Sequence, residues 1–299
     1  METPLISFIT VNFNGLGDTI ELILSLKKNI KSFTYEIIVV DNASRMDETA
    51  ALSHLWDDVI CIRSDHNLGF AGGNNLGIDV ARGQYLFFIN NDTYILEDNL
   101  KYLIYRLTSD PNIGGVSPKL LFHEPFNTIQ FAGFTEFTHY TVRNEIIGFC
   151  QPDNGQFQKA HPTPYLHGAA MVFKREVIEK VGKMPEIFFL YYEEMDWCSK
   201  IKRAGYELWY EPLSVIYHKE SRSTGKDSAM KIYYHTRNRL LFAYRNIDSK
   251  KVRILSMWYQ LLLANTSHIL KYFFRGNFSG AKAIISGELD FLFIRRKTF

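Results

Sequence analysis

The sequence predicts an α/β protein with a mainly parallel central sheet flanked by helices and a helical C-terminal extension. Three observations carry that prediction. Strand-like apolar runs alternate with helix-patterned segments from the first residues onward, the order of βαβ units. These runs are apolar throughout instead of alternating, as in strands covered on both faces. From residue 229 onward helical patterning takes over.

Taken in order, "LISFITV" (5–11) reads as the first buried strand, bounded by Asn12 and Asn14-Gly15. "DTIELILSLKKN" (18–29) sets Ile20, Ile23, Leu24 and Leu26 along a helical stripe, with Asp18 as its N-cap. "YEIIVVDNAS" (35–44) is a second strand, ending on Asp41-Asn42. Residues 59–81 read as strand, Gly/Asn-rich loop and helix; "YLFFINND" is the next strand and 96–110 the helix after it. Residues 111–165 are less regular, with hairpins expected around "TIQFAGFTEFT". "HGAAMVFKREVIEKVG" follows as strand then helix. "EEMDWCSKIKRAG" (193–205) is a helix with Trp197, Ile201 and Ala204 on one face and Gly205 as its stop. "YELWYEPLSVIYH" (206–218) is extended and delivers His218.

The composition, 46% hydrophobic and 22% charged, is that of a globular chain with ample core and excludes a disordered one. The formal charge of +2 conceals an asymmetry. Residues 245–299 hold ten Lys/Arg against three acids, so a basic, aromatic-rich tail follows a mildly acidic body. Cys61, Cys150 and Cys198 are odd in number and far apart, which supports neither a disulfide framework nor a zinc site and suits a reducing cytoplasm. No secretory signal or membrane span is expected, since the most apolar stretch, 254–274, is broken by Gln260, Asn265, Ser267 and His268. An interfacial helix remains compatible with that stretch.

In open α/β sheets ligands sit outside the carboxyl ends of the strands. Three such ends are polar here: Thr10-Val11-Asn12, Asp41-Asn42 and Asn90-Asn91-Asp92. In "NLGFAGGNN", Gly69, Gly72 and Gly73 permit close backbone approach, and Asn67 and Asn74 offer hydrogen bonds; a tight turn is the plainer reading. Glu193-Glu194-Met195-Asp196 opens a helix, either as an acidic first turn favoured by the helix dipole or as a catalytic cluster. His218 is either structural or a ligand.

"SFITVNFNG", "IIVVDNAS", "NLGFAGGNNLGI", "FFINNDT", "HGAAMVFKREVIEKVG", "FFLYYEEMDWCSKIKRAG", "YHKESRSTG" and "YYHTRNRLLF" stand in one order over roughly residues 5–245. That ordered set resembles glycosyltransferase family 2, most of all its rhamnosyltransferase-like branch of bacterial polysaccharide enzymes. The resemblance implies a GT-A fold, inversion at the anomeric carbon and a divalent metal, Mg2+ or Mn2+. It implies a nucleotide-sugar donor (UDP- or dTDP-linked, dTDP-rhamnose included) and a glycan or lipid-linked glycan acceptor. Asn90-Asn91-Asp92 occupies the family's DxD position, with Asp92 as metal ligand and the first acid replaced by Asn90. The resemblance makes Asp41 the base-recognition carboxylate, with Thr10 and Asn12 lining the same pocket. It also makes His218 the partner in the metal site or a diphosphate contact. Glu194 fills the slot of the catalytic base, Asp196 is the second choice, and Glu193 is structural or acceptor-binding. His167 and Gly168, in "LHGAAM", floor the donor and acceptor sites. Arg222 is a candidate phosphate contact; Arg237 and Asn238 brace the active-site loop, or Arg237 contacts phosphate, or their helix simply packs on the body.

The expected division is a catalytic body over 1–228, with a nucleotide-sugar half to about residue 110 and an acceptor-side half to 228, followed by the extension 229–299. For the tail 245–299 three readings stand: an anionic inner-leaflet membrane surface, a homo-oligomer interface, or packing on the body. The first would make the protein cytoplasmic and peripheral on the membrane. Nucleic acid is not an expected partner, since no binding motif is present. A sugar-nucleotide nucleotidyltransferase would need a cation-bearing Gly-rich loop after the first strand, and "TVNFNGLGD" has no such cation. A non-catalytic nucleotide-sugar-binding module is the other alternative, made conceivable by Asn90.

Overall fold

Apolar strands without alternation need cover on both faces, and the chain meets that need with βα units wound in sequence. The computed structural model describes residues 3–220 and 228–298, with side chains through residue 294. The first half comprises β1 (Ile6–Asn12), α1 (Leu16–Asn29), β2 (Tyr35–Asp41), α2 (Glu48–Leu55), β3 (Val59–Arg63), α3 (Gly69–Val80) and β4 (Tyr85–Ile89). Then come β5 (Thr93–Tyr94), α4 (Lys101–Ser109), β6 (Ile113–Phe122), β7 (Ile129–Phe131), β8 (His161–Pro162), β9 (Ala170–Lys174) and α5 (Arg175–Val181). A 3-10 turn (Glu186–Phe188) precedes α6 (Glu193–Arg203), and β10 (Glu207–His218) closes the sheet. The extension holds α7 (Ala229–Asn246), α8 (Lys250–Trp258), a π-helical stretch (Tyr259–Ala264), α9 (Asn265–Phe274) and α10 (Phe278–Thr298).

The main strand order is β3-β2-β1-β4-β9-β6-β10-β5, with β7 beside β6 and β8 beside β10. β3, β2, β1 and β4 run parallel, as do β6 and β10. β9 lies antiparallel to both β4 and β6, so the parallel expectation holds within each half and the whole sheet is mixed. The register sets Asn12 beside Asp41, and β4 flanks β1 on its other side. The three polar strand ends therefore meet at one edge of the sheet.

Local differences from the sequence reading have packing causes. α1 starts at Leu16 behind Gly15, and Asp18 sits inside the first turn, where Lys219 Nζ donates to it at 2.7 Å. The buried stripe of α1 is Thr19, Leu22, Ile23 and Leu26, while Leu24 faces solvent. Gly72, Gly73 and Asn74 lie within α3 and not in a loop. The glycines there let the helix approach the sheet. A Cβ at Gly73 would come within 2.8 Å of Val11 Cγ1, and one at Gly77 within 2.4 Å of Ile9 Cγ2. α4 is shorter than 96–110, beginning at Lys101. The expected extended run 206–218 is the single strand β10.

α6 is pinned by Trp197, which is fully buried against Phe88 and Phe173 and donates its indole N–H to the Gly182 carbonyl at 2.9 Å. Truncating such a side chain costs about 3–5 kcal/mol. The extension folds back on the body: α7 packs on α6, α10 packs on α7 and α9, and Phe291 is fully buried. Its other side leaves Trp258, Leu262, Leu263, Phe273, Phe274 and Phe278 exposed. No described helix is long and apolar enough to cross a membrane.

One backbone contact joins the two halves of the sheet edge. Phe70 N–H donates to the Phe189 carbonyl at 2.8 Å, at a point where Gly69 has φ +71° and a Cβ would fall 2.1 Å from that oxygen. Gly69→Ala should therefore lower unfolding stability in urea by about 2 kcal/mol or more. Gly17→Ala, which meets nothing within 4 Å, should leave stability unchanged or slightly raised. Equal stabilities for the two variants would contradict this docking.

Candidate active site

At the end of β1, Asn12 is fully buried and works as a hub. It donates to Glu48 Oε2 at 2.6 Å and accepts from Thr19 Oγ1 at 2.9 Å. Asn91 belongs to the same network through Thr19 Oγ1 at 3.1 Å, so its amide ties β4 to the start of α1. Thr10, also buried, keeps an Oγ1 without a hydrogen-bond partner. Such orphans are rare in native proteins and mark places where a ligand or water supplies the bond.

Asp41 is fully buried; one oxygen accepts from Ser44 N–H at 3.0 Å and the other from Arg63 at 2.8 Å. It thereby shapes the turn after β2. Asn42, which the sequence reading left without a role, is the organiser of the next loop. Its amide donates to Asn67 Oδ1 and the Gly69 carbonyl, and its oxygen accepts from Leu68 N–H. Asn67 in turn caps Gly69 N–H at 2.9 Å. Asn74 is buried and donates to the Phe70 carbonyl within α3. Asn75, its unremarked neighbour, exchanges hydrogen bonds with both backbone groups of Met184 and so ties α3 to the segment before α6.

Beyond β4, Asn90 is fixed through its backbone, donating to the Ala169 carbonyl and accepting from Thr93. Asp92 and His218 come together, both buried to 6% exposure, with Asp92 Oδ1 at 3.1 Å from His218 Nε2. The pairing of β5 with β10, His218 opposite Thr93, creates that contact. On its other nitrogen His218 meets Gln130 Oε1 at 2.8 Å, which fixes the ring. His167 packs parallel to Phe134, and burial, followed by the nearby His218, pushes its imidazole down to about 3. It is neutral, and its Nδ1 accepts from Ala169 N–H.

Glu193 and Glu194 stand at the N-terminus of α6, the positive end of a helix dipole. Each keeps one buried carboxylate oxygen without a partner. Burial, then the neighbouring Glu194, holds the Glu193 carboxyl well above the usual range. Burial likewise pushes Glu194 up to about 7, opposed by the backbone N–H groups of Glu194 and Met195. Gly168 faces the Glu194 carboxyl, and a Cβ there would rest 3.8 Å from its Oε1. Asp196 points elsewhere. Both its oxygens are taken by Arg245 at 2.9 Å, and Asn246 adds a bond at 2.7 Å, an arrangement that locks α6 to α7.

The loop carrying the two glutamates is bent through Phe189, Tyr191 and Tyr192 at φ of +66°, +68° and +75°. Non-glycine residues in that region store strain that the surroundings must hold. α7 holds it. Arg237 donates to the carbonyls of Ile187 and Phe188, and Asn238 donates to those of Phe188, Leu190 and Tyr191. Arg237 is thus bonded to the backbone that precedes the two glutamates. Arg222 lies outside the described residues. Among the described residues no group of three His, Cys, Asp or Glu is arranged to hold a metal.

Residues 7–182 match the model of glycosyl transferase family 2. The chain is 29% identical over 254 residues to the low-salt glycan biosynthesis hexosyltransferase Agl10 of Haloferax volcanii, covering 83% of this chain and 78% of that one. It is 26% identical over 233 residues to the O-antigen biosynthesis protein RfbC of Myxococcus xanthus, covering 76% of this chain but 18% of that much longer one. In fold it is similar to the mannosyltransferase PcManGT of Pyrobaculum calidifontis, solved with GDP-Man and Mn2+. The TM-score there is 0.60 at 16% identity, over 98% of this chain and 88% of that one. With its mixed GT-A-like sheet, the chain belongs to glycosyltransferase family 2.

Proposed function

We propose that this protein is an inverting, metal-dependent glycosyltransferase. It moves a sugar from a UDP- or dTDP-linked donor, dTDP-rhamnose among the candidates, to a hydroxyl of a glycan or lipid-linked glycan in surface-polysaccharide synthesis. The observation that carries the reading is the Glu193–Glu194 pair at a helix N-terminus, Glu193 buried and Glu194 half-buried, with Glu194 Oε2 unpartnered and its carboxyl facing Gly168. A carboxylate with one oxygen left without a donor can take a proton there, and one titrating near 7 is matched to general-base work. Glu194 removes the acceptor proton as the hydroxyl attacks the anomeric carbon from the face opposite the departing nucleoside diphosphate. Burial and the neighbouring Glu194 hold the Glu193 carboxyl above the usual range, which disfavours a second charge at the site. Asp196 is engaged by Arg245 and serves α6 instead.

On the donor side, Asp41, Thr10 and Asn12 line the nucleotide pocket at the adjoining strand ends, with the loop held by Asn67, Gly69 and Asn74 as its wall. Asp92 and His218 offer one carboxylate oxygen and one imidazole nitrogen, a donor set that fits a Mn2+ or Mg2+ ion completed by diphosphate oxygens and water. Such an ion, when bound, neutralises charge growing on the leaving diphosphate. The tail's exposed Trp258, Phe273 and Phe274 beside its basic residues suit the cytoplasmic face of an anionic membrane.

Glu194→Gln should lower kcat at least 100-fold while the manganese-dependent thermal shift with UDP or dTDP persists. Asp92→Asn should cost at least 100-fold in kcat/KM and EDTA should abolish transfer, whereas Asn90→Ala should cost less than tenfold. Full activity in both Glu194→Gln and Asp92→Asn would end this mechanism. The same glutamate carries a stability signature. Its folded pKa lies above the unfolded value, so the fold is least burdened below about pH 4.5 and loses stability as pH rises through about 7. Glu194→Gln should thus be more stable than wild type at pH 8 by about 1–3 kcal/mol and nearly equal at pH 4.5. Destabilisation at pH 8 would show that Glu194 is a structural carboxylate.

A further inference from the structure

A polar cavity of about 230 Å³ opens between α7, α9 and α10, with Tyr192, the residue before Glu193, in its lining. We propose that it binds the phosphate or diphosphate through which the acceptor glycan is joined to its lipid, so that the acceptor is a phospho-linked glycolipid. This rests on the transferase reading above.

The lining holds two cations, Lys231 and Arg239, two imidazoles, His235 and His268, and the rings of Tyr192 and Tyr272. Among the described lining residues none is acidic. Arg239 is the centre of the argument. Its Nε is buried without a partner, although one terminal nitrogen donates to Asn265 Oδ1 at 3.0 Å. Leaving a guanidinium N–H unmatched in a buried site is costly, and phosphate oxygens are the acceptors its fork fits best. Asn265 turns its other end to Glu288 at 2.8 Å, so this amide stands between Arg239 and that carboxyl. Burial raises the Glu288 carboxyl above its ordinary value, opposed by the Asn265 hydrogen bond. Lys231 and Arg239 also depress His235, after burial, to about 4, keeping that ring neutral. The cavity thus has surplus positive charge and an open donor, the reverse of the acidic catalytic pair.

Position selects which phosphate. Tyr192 lines the cavity and directly precedes Glu193-Glu194, whereas Asp92 and His218 belong to the strand ends of the donor side. On α9, His268 and Tyr272 face the cavity while Leu270, Phe273 and Phe274 are exposed on the same helix. A lipid tail leaving the cavity along that helix meets apolar surface and not water.

The test uses the full-length protein in EDTA, with geranylgeranyl diphosphate in dodecyl maltoside micelles as probe and titration calorimetry as readout. Parallel measurements are the manganese-dependent thermal shift with UDP or dTDP, and co-sedimentation with vesicles of phosphatidylglycerol and phosphatidylcholine. Lys231→Gln and Arg239→Gln should each weaken prenyl-diphosphate binding at least tenfold, with the nucleotide shift within 1 °C of wild type and vesicle binding within threefold. If Arg239→Gln does not fold, Lys231→Gln decides alone. Prenyl-diphosphate binding within threefold of wild type in the folded variants would overturn the proposal. So would absent prenyl-diphosphate binding in wild type, or a loss confined to vesicle binding, which would assign the cavity to bulk lipid headgroups. A missing nucleotide shift in wild type would instead strike the transferase reading, whatever the cavity binds.

Discussion

A single carboxamide, that of Asn238, donates to the carbonyls of Phe188, Leu190 and Tyr191. On that interaction the shape of the loop before α6 depends. Three non-glycine residues in left-handed backbone do not hold that shape by themselves; each costs of order 1–3 kcal/mol and needs surroundings that over-determine it. Asn238 and Arg237 supply the constraint from α7, and the Phe70 N–H supplies it from α3. The consequence is that Glu193 and Glu194 begin a helix from a fixed position while the preceding backbone turns sharply. The family match ends at residue 182, yet α7, well beyond it, holds the loop in place. Body and extension are therefore one working unit at this point.

What the clamp holds is an unfavourable object. Two adjacent buried carboxyls, each with an oxygen lacking a donor, raise each other's cost of ionisation. A fold selected for stability alone would have neutralised them with a cation, as it did for Asp196 through Arg245 and for Asp41 through Arg63. The contrast among these four acids in one protein is informative. Asp41 and Asp196 are paired and structural in their immediate contacts, whereas Glu194 has no ion pair among the described residues and faces Gly168, whose missing side chain leaves space in front of it.

The βα order and the polar strand ends were legible in the sequence because both are local: period, turn chemistry and chain order state them directly. Asp92 and His218 were legible only as separate candidates. Their contact is made by the short β5 pairing with β10, 126 residues apart in the chain, which no local pattern announces. The role of Gly72 and Gly73 was misread, since a glycine that permits helix-to-sheet approach looks in sequence like one that makes a loop. Asn42 and Asn75 were the harder cases. Buried asparagines that satisfy backbone groups have no periodic signature; Asn238 was legible as a loop brace only because the motif around it marked it beside Arg237. Asp196 showed the converse, a catalytic-looking acid whose partner, Arg245, lies on another helix.

The central claim is that the clamped loop presents Glu194 as the proton acceptor for the attacking hydroxyl. The pH dependence of kcat/KM, measured with saturating manganese from pH 5 to 9, tests it most directly. The account predicts a single rising limb with its midpoint near 7, as Glu194 loses its proton, and a level plateau above it. A profile flat across that range, or a rising limb that survives unchanged in Glu194→Gln, would contradict it.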